Sequence, residues 1–213
     1  MEIDVIIPVG PGHQSIVNDA IQSVQIACYT DKGPFDEVHI RAMDDSRGHA
    51  GRSKTRNEAI KSSTTEWLFF LDADDLMHPD AFSVLNDYLD YDAVWGNICE
   101  YRDGCLFPRY QAPRIEDIKI LHEVDPYLTL QMGFFVKREK MILFREDLNT
   151  GEDWDVYLKL WESCRCIKQE EVLMINRRGF HSTGPKSANG RDWRKTVEKI
   201  IKDHVDSHPV ITH

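Results

Sequence analysis

Apolar residues run almost unbroken through "IDVIIPV", residues 3–9, and again through "EWLFFLD", residues 66–72. Runs of this length without alternation predict strands covered on both faces, as in a sheet flanked by helices. Pro8 and Gly10 stop the first run. Between the two, Ile16, Ala20, Val24 and Ala27 recur at helical spacing in "HQSIVNDAIQSVQIACY". "DEVHIRAM", residues 36–43, alternates as a strand does, and "RSKTRNEAIKSS" predicts a short helix. Pro79 opens a further helix reaching about Leu89. This β-α-β-α-β-α order predicts an α/β fold with a mostly parallel central sheet and right-handed crossovers.

The pattern loosens in the second half. "DAVWGNICEY" and "CLFPRY" predict two strands around Asp103-Gly104, a dipeptide suited to a tight hairpin. "LQMGFFVKREKMIL" reads as a strand and a short helix. "GEDWDVYLKLWESC" predicts a helix with Trp154, Tyr157, Leu158 and Trp161 on one face. Residues 177–190 read as loop. "RDWRKTVEKIIKDHVDS" predicts an amphipathic helix with Trp193, Val197, Ile200, Ile201 and Val205 along one stripe. That stripe packs on the sheet or, through its basic face, meets a membrane surface. There is no internal repeat and no low-complexity linker, so residues 1–213 read as one domain with a nucleotide-type half (1–100) and a more variable half (101–213). The closing "HPVITH" has no clear stop signal and suggests a piece of a longer chain.

Composition narrows the class. The 213 residues are 41% hydrophobic and 29% charged, which suits a soluble domain with a proper core. Lys plus Arg is 26 and Asp plus Glu is 36, a net of 26 − 36 = −10, against the basic surface a general nucleic-acid binder needs. The five cysteines are odd in number and scattered, as reduced thiols are. Cys164-x-Cys166 lacks the second ligand pair of a zinc site. The N-terminus lacks a basic start and its apolar run is too short for a signal peptide, and no stretch is long enough to cross a bilayer. A cytoplasmic location is expected, the host cytoplasm were the protein viral.

The acidic residues carry the chemistry. Asp72, Asp74 and Asp75 follow the third strand, Asp44 and Asp45 follow the second, and Pro8, Val9 and Gly10 follow the first. In open parallel sheets, ligands bind beyond the carboxyl ends of the strands. Turn chemistry explains one Asp after a strand; it explains five at two neighbouring ends poorly. An oxygen-only donor set suits Mg²⁺ or Mn²⁺, which are often held by one or two carboxylates plus substrate phosphates. A phosphorylated ligand is therefore expected. Arg47, His49, Arg52, Lys54 and Arg56 stand close after Asp45, either to meet that ligand or as a solvated charged face.

Taken together, "VIIPV", "MDDS", "TRNEAI", "WLFFLDADD" with Pro79, and "GEDWDVYLKL" resemble inverting glycosyltransferases of the GT-A fold, in the large family two. Members show a first-strand "IIP", a "DDxS", an "ARN" helix, a "LDADD" and a late "GEDWDLxLR" in that order. The resemblance covers nearly the whole chain and extends to the N-terminal domain of a large chlorella-virus glycosyltransferase. It implies a UDP-sugar donor, Mn²⁺ or Mg²⁺, and a glycan or glycoprotein acceptor bound by the second half. Pro8, Val9, Gly10 and Asp44 would line the uridine, Arg56 would lie near base and diphosphate, and Asp72 near the ribose. Asp74, after Ala73, would hold the metal, with His181 completing the shell or remaining a loop histidine without a role. Arg178 and Lys186 could reach the diphosphate. Asp153 would be the general base, with Glu152 and Trp154 near the acceptor. Acids also favour a helix's first turn for the macrodipole alone, and Trp154 lies on the apolar stripe, so core roles stay open.

Two departures stand out: "MDDSRGHAG" replaces the usual "DDGSTD", and Thr55 stands where Ala is common. Two rivals share the acidic strand ends. A nucleotidyltransferase would carry a glycine-rich, Arg-containing loop after the first strand, and "PVGPGHQS" has no Arg or Lys. A non-catalytic nucleotide- or sugar-binding module would have no need of Asp153 together with Asp74.

Overall fold

The computed structural model describes residues 1–177 and 190–207. The first half runs β1 (Glu2–Val9), α1 (Val17–Thr30), β2 (Glu37–Asp44), α2 (Arg52–Ser62), β3 (Trp67–Phe70), β4 (Asp75–Met77) and α3 (Ala81–Val84). The second half runs β5 (Ala93–Arg102), β6 (Cys105–Pro108), α4 (Ile118–Glu123), β7 (Phe134–Lys137), α5 (Glu152–Ser163), β8 (Cys166–Arg177) and α6 (Gly190–Ser207). The strands form one sheet in the order β2-β1-β3-β7-β5-β8-β4, with β6 on β5.

Two apolar faces explain the unbroken runs. Ile3, Val5 and Ile7 of β1 and Trp67 and Phe69 of β3 pack toward α1 and α3. Ile6, Leu68 and Phe70 pack the other way, with α2, α5 and α6. Each strand thus buries both of its alternating faces, so polar residues have no place on it. Asp4 is the exception, and its carboxylate takes a hydrogen bond from Arg41 Nη1 at 2.8 Å.

The parallel expectation holds for β2-β1-β3 and for β5 with β8. Elsewhere it is corrected: β7 runs antiparallel to both β3 and β5, β6 to β5, and β4 to β8. The chain between β6 and β7 holds the six-residue α4, a 3₁₀ turn and irregular segments. The hairpin forms as expected, with Asp103 and Gly104 at φ 53° and 81°. The helix expected from Pro79 is a single α turn from Ala81, continued by a 3₁₀ turn over Leu85–Tyr88. β8 has no counterpart in the sequence reading.

α5 buries Trp154, Tyr157, Leu158 and Trp161 as its pattern requires. α6 lays Trp193, Val197 and Ile201 against the same core, with α5 and α4 as its main neighbours. Its packing dictates Gly151 at the N-terminal end of α5. The backbone there has φ 76°, and a Cβ would stand 3.2 Å from Thr196 Cγ2 and 3.3 Å from Val197 Cγ2. Among the described residues no helix is long and apolar enough to cross a membrane.

Candidate active site

The carboxyl ends of β1, β2 and β3 lie side by side. Val9 pairs with Asp44 in register, and Asp45 N–H donates to Val9 O at 2.9 Å. Pro8 and Val9 are buried under this edge. Asp44 is exposed at the strand end and accepts from Ser46 N at 2.8 Å; that serine holds its carboxyl below the usual range. Asp45 is turn chemistry after all: its carboxylate gathers the backbone N–H groups of His49, Ala50 and Gly51 at 2.8, 3.0 and 2.7 Å.

Beyond β3 the chain turns sharply, with Asp75 N–H donating to Asp72 O at 3.0 Å. The turn brings carboxylate oxygens of Asp72, Asp74 and Asp75 within 4.8 Å of one another. Asp75 is only 5% exposed. Its Oδ1 accepts from Asn176 Nδ2 at 2.8 Å and from Arg177 N at 3.3 Å. Arg177 wraps the main chain of the turn, Nε donating to Asp74 O at 2.8 Å and Nη2 to Ala73 O at 3.3 Å, while Nη1 reaches Asp19 of α1 at 2.6 Å. Burial, then the nearby Asp72 charge, pushes Asp74 up to about 7. Burial, Asp74 and Asp72 push Asp75 well above the usual range. Such a cluster is short of positive charge, and its donors are all oxygens. That fits Mg²⁺ or Mn²⁺.

Arg56 of α2 joins this cluster to α5. It is 3% exposed. Its Nη2 donates to Asp72 Oδ1 at 2.6 Å and its Nη1 to Glu152 Oε1 at 3.0 Å. Burial opposes its charge, but the two carboxylates outweigh burial and strengthen it. Arg52 Nε also lies 2.7 Å from Glu152 Oε1. Asn57 bolts down the chain that leads to α5: its Oδ1 accepts from Phe144 N at 2.8 Å and its Nδ2 donates to Phe144 O at 2.9 Å. Thr55 donates its hydroxyl to Gly51 O at 2.9 Å, within its own helix.

With Glu152 tied to two guanidinium groups, Asp153 is left as the partly exposed acid of the first turn of α5. Its Oδ1 accepts from Trp154 N at 2.9 Å. Burial, then the Glu152 charge, raises it to about 7, against the pull of Arg52. That value suits a proton acceptor working near neutrality.

The expected site residues therefore divide. Asp72, Ala73, Asp74, Arg56 and Glu152 are linked by the bonds just described, Asp153 follows Glu152 in the first turn of α5, and Pro8, Val9, Gly10 and Asp44 sit at the adjoining strand ends. Trp154 is fully buried and packs edge-to-face on Tyr157 at 6.1 Å; a ring so enclosed presents no surface to an acceptor, and the core alternative describes it. The basic run also divides: Arg47, His49 and Lys54 are exposed, whereas Arg52 and Arg56 are engaged by carboxylates. His181, Arg178 and Lys186 lie outside the described residues. Asn176 and Arg177, which organise the acidic turn, were missing from the sequence reading; two polar residues closing an apolar stretch, "VLMINR", were the available signal.

The architecture, a mixed sheet flanked by helices with acidic residues at its strand ends, is that of the GT-A fold. Residues 16–149 match the family model described as Glycosyl transferase family 2. That is more than half of the chain, and the chain belongs to glycosyl transferase family 2. No curated protein matches it. Among solved structures, residues 1–349 of S. aureus TarS in complex with UDP are similar, with a TM-score of 0.67 at 16% identity, over 96% of this chain and 65% of that one. The same segment in complex with UDP-GlcNAc gives 0.66 at 15% identity, over 96% and 66%. Glucosyl-3-phosphoglycerate synthase from Mycobacterium tuberculosis, in complex with Mg²⁺ and UDP, gives 0.53 at 14% identity, over 94% and 79%. At these identities the likeness is one of fold. The chain covers 37% of a longer TarS chain.

Proposed function

We propose that this domain transfers a hexose or deoxyhexose from a UDP-sugar to a hydroxyl of a glycan acceptor, with inversion. The observation that carries the reading is the set of three clustered carboxylates, Asp72, Asp74 and Asp75, bridged through Arg56 to the helix end that bears Asp153. One face supplies groups for a diphosphate and its cation, the other a proton acceptor raised to about 7.

In this reading Pro8, Val9, Gly10 and Asp44 receive the nucleoside, Asp72 lies near the ribose, and Arg56 keeps Asp72 placed beside the diphosphate. Asp74, with Asp75 and Asp72 adjacent, would hold Mg²⁺ or Mn²⁺, and His181 is proposed as a further ligand. When bound, such an ion supplies Lewis-acid neutralisation of the leaving diphosphate. The acceptor hydroxyl bonds to the anomeric carbon while its proton passes to Asp153. The bond from that carbon to the diphosphate oxygen breaks on the opposite face, and UDP leaves with the electron pair. Attack and departure on opposite faces invert the configuration. Glu152 acts by placing the first turn of α5. The five thiols are free, which suits a reducing compartment, and we place the domain in the cytoplasm.

Calorimetric titration tests the reading. UDP, GDP and dTDP are titrated with Mn²⁺ and then with EDTA, on wild type and Asp74→Asn. Metal-dependent binding of UDP that the variant loses is the expected result. Binding indifferent to metal and to Asp74 would sink it.

A further inference from the structure

We propose that the Tyr157 hydroxyl positions Asp153, donating a hydrogen bond to its carboxylate through one bound water. The inference rests on the reading of Asp153 as the proton acceptor, and Tyr157 acts through Asp153 rather than on substrate.

Tyr157 has no exposed surface. Its hydroxyl is buried and meets no hydrogen-bond partner among the described residues. Buried polar groups in folded proteins are almost always satisfied, by protein or by ordered water. Tyr157 stands four residues after Asp153, so the two share one face of α5. Long side chains on a helix lean toward its N-terminal end, over residues three and four before them. The edge-to-face contact of Tyr157 with Trp154, at 6.1 Å, agrees with that lean. Trp95 and Phe134 hold the ring from the sheet, both edge-on with centroids 5.4 Å away. A ring so fixed gives its oxygen one place to be. That place is within electrostatic reach of Asp153, Arg56, Asp72 and Glu152, all residues of the site. Burial, then the Asp153 charge, keeps the phenol protonated, so it can only donate to a carboxylate. Asp153 itself has Oδ1 engaged by Trp154 N, which leaves its other oxygen for a second donor and the incoming proton. In the motif "GEDWDLxLR", Tyr157 falls on the open position.

A hydrogen bond to the charged form lowers a carboxyl's pKa, so losing it raises the pKa. The test uses the full chain, metal-free, labelled with ¹³C at aspartate carboxyls, as wild type and Tyr157→Phe. Asp153→Asn identifies the Asp153 resonance. The other charges acting there, Arg52 and Arg56 of α2 and Glu152 of α5, are the same in both chains. The Asp153 midpoint should rise by about one pH unit in Tyr157→Phe, with the circular-dichroism spectrum and UDP affinity unchanged. Hydrolysis of UDP-glucose or UDP-N-acetylglucosamine at pH 7, followed as UDP release, should fall about fivefold in kcat, the loss of ionised carboxylate that this shift implies. Should Phe unfold the chain, 3-fluorotyrosine at position 157, a stronger donor, should lower the same midpoint. An Asp153 midpoint that moves in neither chain overturns the proposal. Retained UDP release in Asp153→Asn would instead sink the assignment of Asp153 as the base, and leave the resonance result standing.

Discussion

Arg56 offers the sharpest test of the site's construction. Replacing it by Met keeps much of the stem's volume and removes the guanidinium that spans Asp72 and Glu152. The two carboxylates are not equally placed. The Asp72 side chain is 35% exposed and water can take over its charge, whereas that of Glu152 is 4% exposed. Breaking a buried pair by deleting one partner costs about 3–5 kcal/mol. Arg52 remains 2.7 Å from Glu152 Oε1, so the cost should fall at the low end, about 3 kcal/mol. For a chain of this size that lowers the melting temperature by roughly 6–12 °C. Urea unfolding, with the slope m unchanged, is the direct assay. Arg56→Lys should recover little, since an ammonium is a point charge and cannot span two carboxylates. Adding Glu152→Gln to Arg56→Met should recover part of the loss, because the buried charge goes with its partner. A loss below about 1 kcal/mol, the range of exposed pairs, would mean that the bridge is solvated and that the reasoning from burial is wrong.

Three further outcomes follow from the same geometry. The kcat/KM of sugar transfer should rise with pH through about 7 and then level, because Asp153 accepts a proton only when ionised; a profile flat from pH 6 to 8 would argue against it. Asp74, raised to about 7 by folding, favours the fold fully only below its unfolded value of 3.8, and that contribution is lost as pH rises through about 7. Mg²⁺ should therefore raise the melting temperature more at pH 8 than at pH 5, and Asp74→Asn should remove most of the difference; equal shifts in scanning calorimetry at both values would contradict this. Gly151→Ala forces a Cβ into a left-handed conformation and against Thr196 and Val197, at a cost of about 1–2 kcal/mol in thermal unfolding.

What the sequence discloses depends on how each element is buried. β1 and β3 were legible because both faces are apolar. β8 was hidden because its middle reads "KQEE", yet Lys168 and Gln169 have no exposed surface. Lys168 Nζ donates to Asn97 Oδ1, Ala112 O and Pro113 O at 2.5, 2.7 and 3.1 Å, and Gln169 bonds to the backbone of Glu171. The partners of Lys168 come from chain more than fifty residues away, which no local pattern reveals. β4 is three residues inside an acidic stretch, recognisable only through its pairing with β8. The acids of "LDADD" could be read as a site because repulsion between neighbouring carboxylates calls for compensation. The basic run after Asp45 could not be apportioned: sequence gives the cations but not their partners, and two of them face Glu152.

The fit of α6 over Gly151 also constrains how the sequence can drift. Position 151 can hold little but glycine while Thr196 and Val197 keep their present size, and neither of those can grow without pressing on the peptide that starts α5. Even with smaller residues at 196 and 197, a side chain at 151 would still meet the left-handed backbone, at φ 76°. Other positions on the outward face of α6 are exposed and free to vary. Divergence in α6 should therefore be rapid along one side of the helix and slow along the other, with the slow side set by the glycine that precedes α5.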